Sequence, residues 1–409
     1  MASMRDHDQN FWQLTCIQSA ACGVPVIFIG SQLAKQHGTG TAVLSIIVGN
    51  LILWIIALAV VSMAARERKD AVENIKHYFG KPVGYIASAV LILAFLIWYV
   101  LQLRSNVDAI GTISNDNETW NHARNWVGGT LGILTAGLAV GGIQLIKRFC
   151  YYAFPFLFLF VLYAVCTSTD EIRFEGTWNF SLPATASIVA VTLPGIVNLP
   201  TFFRHSKSRG NSILALCLIT LFVSFFQISS LFLDGAHGNQ LFSHFSLGFV
   251  HELKYALAVV FLVVSLISVN LVNIYFAASG LKNFIPRHWN QYRKYGYLLE
   301  GLVGLTMFHT VFKIEIFVHF LGNFIASFGI VLVVALLIRS VVKHRARRFD
   351  KLVNISCWCI GWISATLGQL LFSKDPGTAI VIGCYASILA FLVILFIEEA
   401  AWSLENLHT

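Results

Sequence analysis

Residues 11–34 read FWQLTCIQSAACGVPVIFIGSQLA, a long apolar run with Cys22-Gly23-Val24-Pro25 near its middle. The run exceeds the core of a secretory signal and no small-residue cleavage site follows it, so it reads as a retained first helix. The rest of the chain is built alike. Hydrophobic residues make up 57% of the 409 and charged residues only 12%, with a mean hydropathy of +0.72. A soluble domain carries about twice that charge, so composition predicts an all-α integral membrane protein.

Runs long enough to span a bilayer fall near 11–34, 41–65, 83–111, 125–145, 149–167 and 184–203, then near 211–233, 255–281, 296–311, 314–338, 352–373 and 377–398. That pattern predicts 12 transmembrane helices joined by short loops. With the amino terminus inside, 21 of the 28 basic residues fall in inside segments. Retention of positive charge then places both termini in the cytoplasm and the chain in a cell membrane. The net charge of +8 is thereby a topology signal, and no nucleic-acid partner is expected. The eight cysteines lie mostly within apolar runs and read as small hydrophobes.

A second interruption, Leu193-Pro194-Gly195, sits near the middle of the sixth run. The first and sixth runs open two successive five-helix sets. Breakers at matching positions of two halves point to an inverted-repeat transporter with its site at the bilayer midplane. The expected organisation is a first repeat over 11–167, a second over 184–338 and two additional helices over 352–398. Pro155 reads as a simple kink. Gly128, Gly132 and Ala136 form a small-residue stripe for close helix packing.

Polar residues within spans are costly and so informative. Trp98 and Gln102 lie four apart on one helical face of the third run, a stacking surface beside an amide. Asn270 and Asn273 share a face of the eighth run with Ser265 and Ser268. Runs 1, 3, 6 and 8 hold no Asp, Glu or Lys in their central portions, which favours a neutral ligand. Amides beside an aromatic platform suit a flat heterocycle with hydrogen-bonding edges. Glu300, Glu315 and His319 are the ionisable residues in or beside runs 9 and 10. Walker, zinc-protease and Gly-x-Ser-x-Gly patterns are missing from the sequence, so no enzyme chemistry is expected.

These features resemble the nucleobase–cation symporter-1 transporters, most closely the cytosine permease branch. The second run from Ala42 to Leu53 is similar to that family's second helix. Trp98 stands where the family stacks its substrate, and the Trp98-x-x-x-Gln102 spacing is similar to that of hydantoin permeases. Phe202-Phe203-Arg204 and Ala278-Ser279-Gly280-Leu281 are similar to the ends of the sixth and eighth helices. The resemblance implies a LeuT-type fold: two inverted five-helix repeats with discontinuous helices 1 and 6, plus two extra helices, working by alternating access. It carries substrate contacts to Thr192 and Pro194. It also places a Na+ site near Ser19, Cys22 and Ser268. Val269 stands where that site's second hydroxyl belongs, and Thr201 replaces an acidic residue, so weak sodium dependence is expected.

The sequence thus predicts a secondary transporter for a small neutral nucleobase-like heterocycle, needing no cofactor beyond a coupling ion, Na+ or H+. Its rivals are a LeuT-type carrier of another solute such as an amino acid, and a transport-inactive relative or sensor.

Overall fold

The computed structural model describes residues 9–114, 117–167, 178–233, 249–285, 293–309, 314–341, 350–371 and 376–407. Among these residues the fold is helical, apart from one isolated parallel bridge between Gln9 and Ser206. The first run is not one helix but three pieces: α1 (Phe11–Ala20), α2 (Val24–Ile27) and α3 (Ile29–His37). Asn10 starts it with a reciprocal capping box to Gln13. Pro25 stands near the start of α2, where its missing N–H costs nothing.

The long helix α4 (Thr39–Glu67) follows, then the short α5 (Ala71–Phe79) and the long α6 (Lys81–Ser114). The α5 segment was read as loop from the sequence. Asp70 accepts the Glu73 N–H while the Glu73 carboxylate accepts the Asp70 N–H, and these two bonds fix the helix start. Next come α7 (Asn117–Ala139) and α8 (Gly142–Thr167), with Pro155 inside α8. The turn between them lies at 140–141, earlier than the sequence pattern suggests. Gly142 adopts φ +62, a left-handed conformation that glycine takes without a steric penalty, so the chain reverses there. Lys147 and Arg148 consequently sit within α8 rather than between helices.

The second half begins with α9 (Leu182–Asn198) and α10 (Pro200–Phe203), followed by α11 (Arg209–Leu233), α12 (Phe249–Leu281), α13 (Arg293–His309) and α14 (Ile314–Val341). The sixth run is interrupted, but not where expected. Helix α9 runs through Leu193-Pro194-Gly195 and ends at Leu199. There Pro200 offers no N–H, and the Leu199 N–H bonds the Ile196 carbonyl in a tightened last turn. Two more helices, α15 (Asp350–Leu371) and α16 (Pro376–Leu407), close the chain.

Seven helices among the described residues are long and apolar enough to cross a membrane alone, and α14 adds the shorter apolar stretch Leu321–Ala335. The other passes fall short for physical reasons. The first is broken into pieces, while α7, α13 and α15 carry polar residues at their ends. Glycines let these less apolar helices pack closely: a methyl added at Gly301 would stand 2.2 Å from Ala136 Cβ, and one at Gly128 2.6 Å from the Phe308 ring. The small-residue stripe of α7 therefore serves α13. Helix α4 packs on both α9 and α11, and α6, α7, α12 and α13 pack on one another.

Candidate functional site

The break between α1 and α2 opens onto a cavity of about 200 Å³ between these two packed groups. Lining residues come from α1, α2, α4, α6, α9, α11, α12 and α14. Trp98, Gln102, Thr192 and Asn273 are among them, with Cys22 from the break itself. Four of the six residues expected to contact substrate thus meet in one space. Helical spacing explains the α6 pair, since Trp98 and Gln102 project from the same face one turn apart.

Gln102 is almost fully buried, and its Oε1 has no hydrogen-bond partner. Its carboxamide fills the room left by the missing side chain of Gly23: a Cβ there would stand 2.3 Å from Oε1. Thr192 Oγ1 and Gln18 Nε2 also lack partners. Unpaired buried polar atoms cost free energy, so three of them around one cavity mark groups available to a solute. Phe95 and Phe276 add an aromatic wall, their ring centroids 4.6 Å apart.

The remaining expected residues behave differently. Asn270 does not line the cavity. Its Nδ2 donates to the Tyr99 carbonyl at 3.3 Å, and its Oδ1 accepts from Asn273 Nδ2 at 3.1 Å. It ties α12 to α6 and orients Asn273. Pro194 lies on α9 one residue before the lining residue Gly195, and its side chain is outside those described, as are Glu315 and His319 on α14. Glu300 is buried in α13 and is absent from the cavity lining.

Gln18, Asn50, Trp54 and Thr220 are among the lining residues that the sequence reading does not single out. A polar residue inside an apolar run is the available signal for Gln18, Asn50 and Thr220. Asn50 Nδ2 donates to Gln227 Oε1 at 2.7 Å, pinning α4 to α11 beside the cavity.

The residues expected to hold Na+ are Ser19, Cys22 and Ser268. Ser268 donates its hydroxyl to the Val264 carbonyl at 2.7 Å, and the Ser19 carbonyl already accepts the Cys22 N–H at 3.1 Å. Ser19 Oγ is buried without a partner. Val269 presents only hydrocarbon, no ligand for a hard cation, while at Ser19 and Cys22 the expected ligands are backbone carbonyls. Among the described residues no cluster of His, Cys, Asp or Glu could hold another metal ion.

The sequence matches the family model of spore germination proteins over residues 10–316, well beyond half of the chain. The chain belongs to that family. No curated protein sequence matches it. Its structure is similar to that of Mhp1, a nucleobase-cation-symport-1 family transporter in a closed conformation with bromovinylhydantoin bound. The TM-score is 0.66 at 15% identity, covering 96% of this chain and 94% of that one. It is also similar to a Na+-coupled sialic acid symporter in a substrate-bound outward-open state, with TM-score 0.65, 13% identity and coverage of 95% and 90%. The Eremococcus coleocola manganese transporter gives TM-score 0.58 at 12% identity, covering 98% and 94%. This spore germination family member is therefore a multi-pass membrane protein with the LeuT-type transporter fold. Its structural relatives carry chemically diverse solutes, so the fold alone leaves the substrate open.

Proposed function

We propose that this protein recognises a small neutral heterocycle of the nucleobase class in its central cavity and moves it across the membrane by alternating access. The observation that carries the reading is the cavity lining: among the described residues no charged side chain lines it, while Trp98, Gln102, Thr192 and Asn273 converge there. An aromatic face with unpaired amide and hydroxyl groups suits a flat ligand with both donors and acceptors. The cavity volume is below the usual range for drug-sized ligands, which favours a compact solute. Ser19, Cys22 and Ser268 are the candidate sodium ligands and Val269 adds none, so the coupling ion is Na+ with weak dependence, or H+. The distribution of Lys and Arg supports residence in a cell membrane with both termini cytoplasmic, and with α5 on that side. The interruptions of the first and sixth runs support repeats over 11–167 and 184–338 with additional helices over 352–398.

The test is a thermal-shift and calorimetric screen of the purified protein against nucleobases, nucleosides and amino acids. A neutral heterocycle should stabilise it, and Trp98→Ala should reduce that shift at the same ligand concentration. Stabilisation by amino acids alone would replace this reading with the amino-acid carrier.

A second reading has its own support in the family description and in Val269, which stands where an ion site's second hydroxyl is expected: the chain senses its solute in germination rather than transporting it. Proteoliposomes discriminate the two. Saturable binding with no uptake at any sodium or proton gradient would favour sensing.

A further inference from the structure

Away from the cavity, one end of the bundle carries a charge network that the binding site does not use. Asp70 is fully buried there, and its two oxygens have separate tasks. Oδ1 accepts the Glu73 N–H at 2.8 Å and caps α5. Oδ2 receives Arg204 Nη1 at 3.0 Å, from the residue just after α10, and also Lys282 Nζ, from the residue just after α12. Glu73 Oε1 is 3.2 Å from the same Lys282 ammonium, and Lys76 Nζ donates to Asn283 Oδ1 at 2.6 Å.

Arg204 and Lys282 arrive from different packed groups. Helix α10 continues α9, which packs on α4, while α12 packs on α6. One carboxylate oxygen therefore joins the two bodies between which the cavity lies. The network extends to the chain entering α1. Arg204 Nε donates to His205 Nε2 at 3.1 Å. The next residues pair with the segment before α1: Gln9 N–H bonds the His205 carbonyl and Lys207 N–H bonds the Gln9 carbonyl, both at 3.0 Å. Phe11 N–H adds a bond to Asn211 Oδ1 at 3.1 Å. Helix α1 then leads directly to the cavity residues Gln18, Ala21 and Cys22.

We infer that Asp70 is the keystone of a gate at the α5 end: its pairing with Arg204 and Lys282 holds the α1 entry latch shut, and access to the cavity from this end requires that pairing to break. A buried ion pair is suited to such a switch. It contributes little to net stability when complete and is strongly unfavourable when one partner is removed, so its closed and broken states are well separated.

The experiment is hydrogen–deuterium exchange on the full chain in lipid nanodiscs, comparing wild type with Asp70→Asn and Lys282→Met. Asparagine caps helices as well as aspartate, so the first variant removes the charge and keeps the start of α5. Lys282→Met removes the α12 arm without touching α5. In both variants, exchange at Gln9 and Lys207 should accelerate about ten-fold or more, while the α5 amides from Asn74 to Gly80 stay within about two-fold of wild type. Unchanged exchange at Gln9 and Lys207 in Lys282→Met would overturn the gate. So would α5 exchanging as fast as the latch in both variants, because that pattern is local unfolding. No ligand is needed, so failure here leaves the solute reading untouched.

Discussion

The cavity and the α5 end are both polar regions inside a largely apolar bundle, yet they are built on opposite plans. Around the cavity the polar groups are neutral, come from several helices and leave atoms without partners at Gln18, Gln102 and Thr192. At the α5 end the groups are ionised and paired, with Asp70 engaged on both oxygens. Unsatisfied neutral groups hold binding capacity in reserve at a modest cost each. Satisfied buried charges fix a geometry and tolerate no subtraction. The first plan suits a place that a solute enters, and the second a joint that is either closed or broken.

The largest effect expected from this contrast is on stability at the α5 end. Asp70→Leu leaves Arg204 and Lys282 facing an aliphatic group and removes the cap of α5. The cost should be about 3–5 kcal/mol, with a further loss of about 1 kcal/mol from the cap. Fluorescence-detected size exclusion after a heating series would show it as early loss of the monodisperse peak. An unchanged midpoint would mean that the two cations are satisfied by Glu73 alone, and the contrast would fail.

Next in size are the effects on binding at the cavity. Removing a stacking aromatic costs about 1–3 kcal/mol, so Trp98→Ala should weaken the best neutral ligand about ten- to hundred-fold while the melting midpoint moves little. Gly23→Ala should act through Gln102, because the new methyl takes the place of the carboxamide. Its signature is lost affinity that a second substitution, Gln102→Ala, does not restore. Calorimetric titration of the three variants separates the cases. Affinity of wild-type strength in Gly23→Ala would show that Gln102 has other room to occupy and is not placed by the break.

The two asparagines of α12 sharpen the contrast within a single turn. Asn270 carries hydrogen bonds to the Tyr99 carbonyl and to Asn273, whereas Asn273 lines the cavity. Asn270→Ala should lower stability by about 1–3 kcal/mol, because it strands a buried carbonyl and an amide. Asn273→Ala should chiefly lower ligand affinity. The sequence placed both residues on one helical face, and spacing alone could not distinguish tether from lining.

That limit explains what was legible and what was not. The first break was readable because Gly23 and Pro25 interrupt an otherwise unbroken apolar run. Trp98 and Gln102 were readable because helical spacing puts them on one face. The second break was placed at Pro194-Gly195, but the helix passes through that pair and stops before Pro200. Two prolines competed in one run, and only hydrogen-bond geometry decides between them. Helix α5 was missed although Asp70-x-x-Glu73 is a readable capping pattern, because its charges were counted as topology signals. Convergence was the least legible property. Asn50 and Gln227 are 177 residues apart in sequence, and nothing local announces their contact.

The smallest expected effect lies next to the largest. Lys69 immediately precedes Asp70 and forms its own ion pair, Nζ to Glu67 Oε2 at 2.8 Å, with the two side chains 37% and 25% exposed. Water screens both charges, and ordering two flexible side chains offsets much of the attraction, so such a pair contributes only about 0–1 kcal/mol. The backbone role of this residue, accepting a bond from Asn74 Nδ2 at the Lys69 carbonyl, survives any side-chain change. Lys69→Met should therefore shift the denaturation midpoint barely at all and leave exchange at Gln9 and Lys207 as slow as in wild type. Raising the salt concentration should abolish whatever small difference remains. If Lys69→Met instead opened the latch as Lys282→Met is expected to, the positive field around α5 would be the effective element. The specific sharing of Asp70 Oδ2 between Arg204 and Lys282 would then lose its part in holding this end closed.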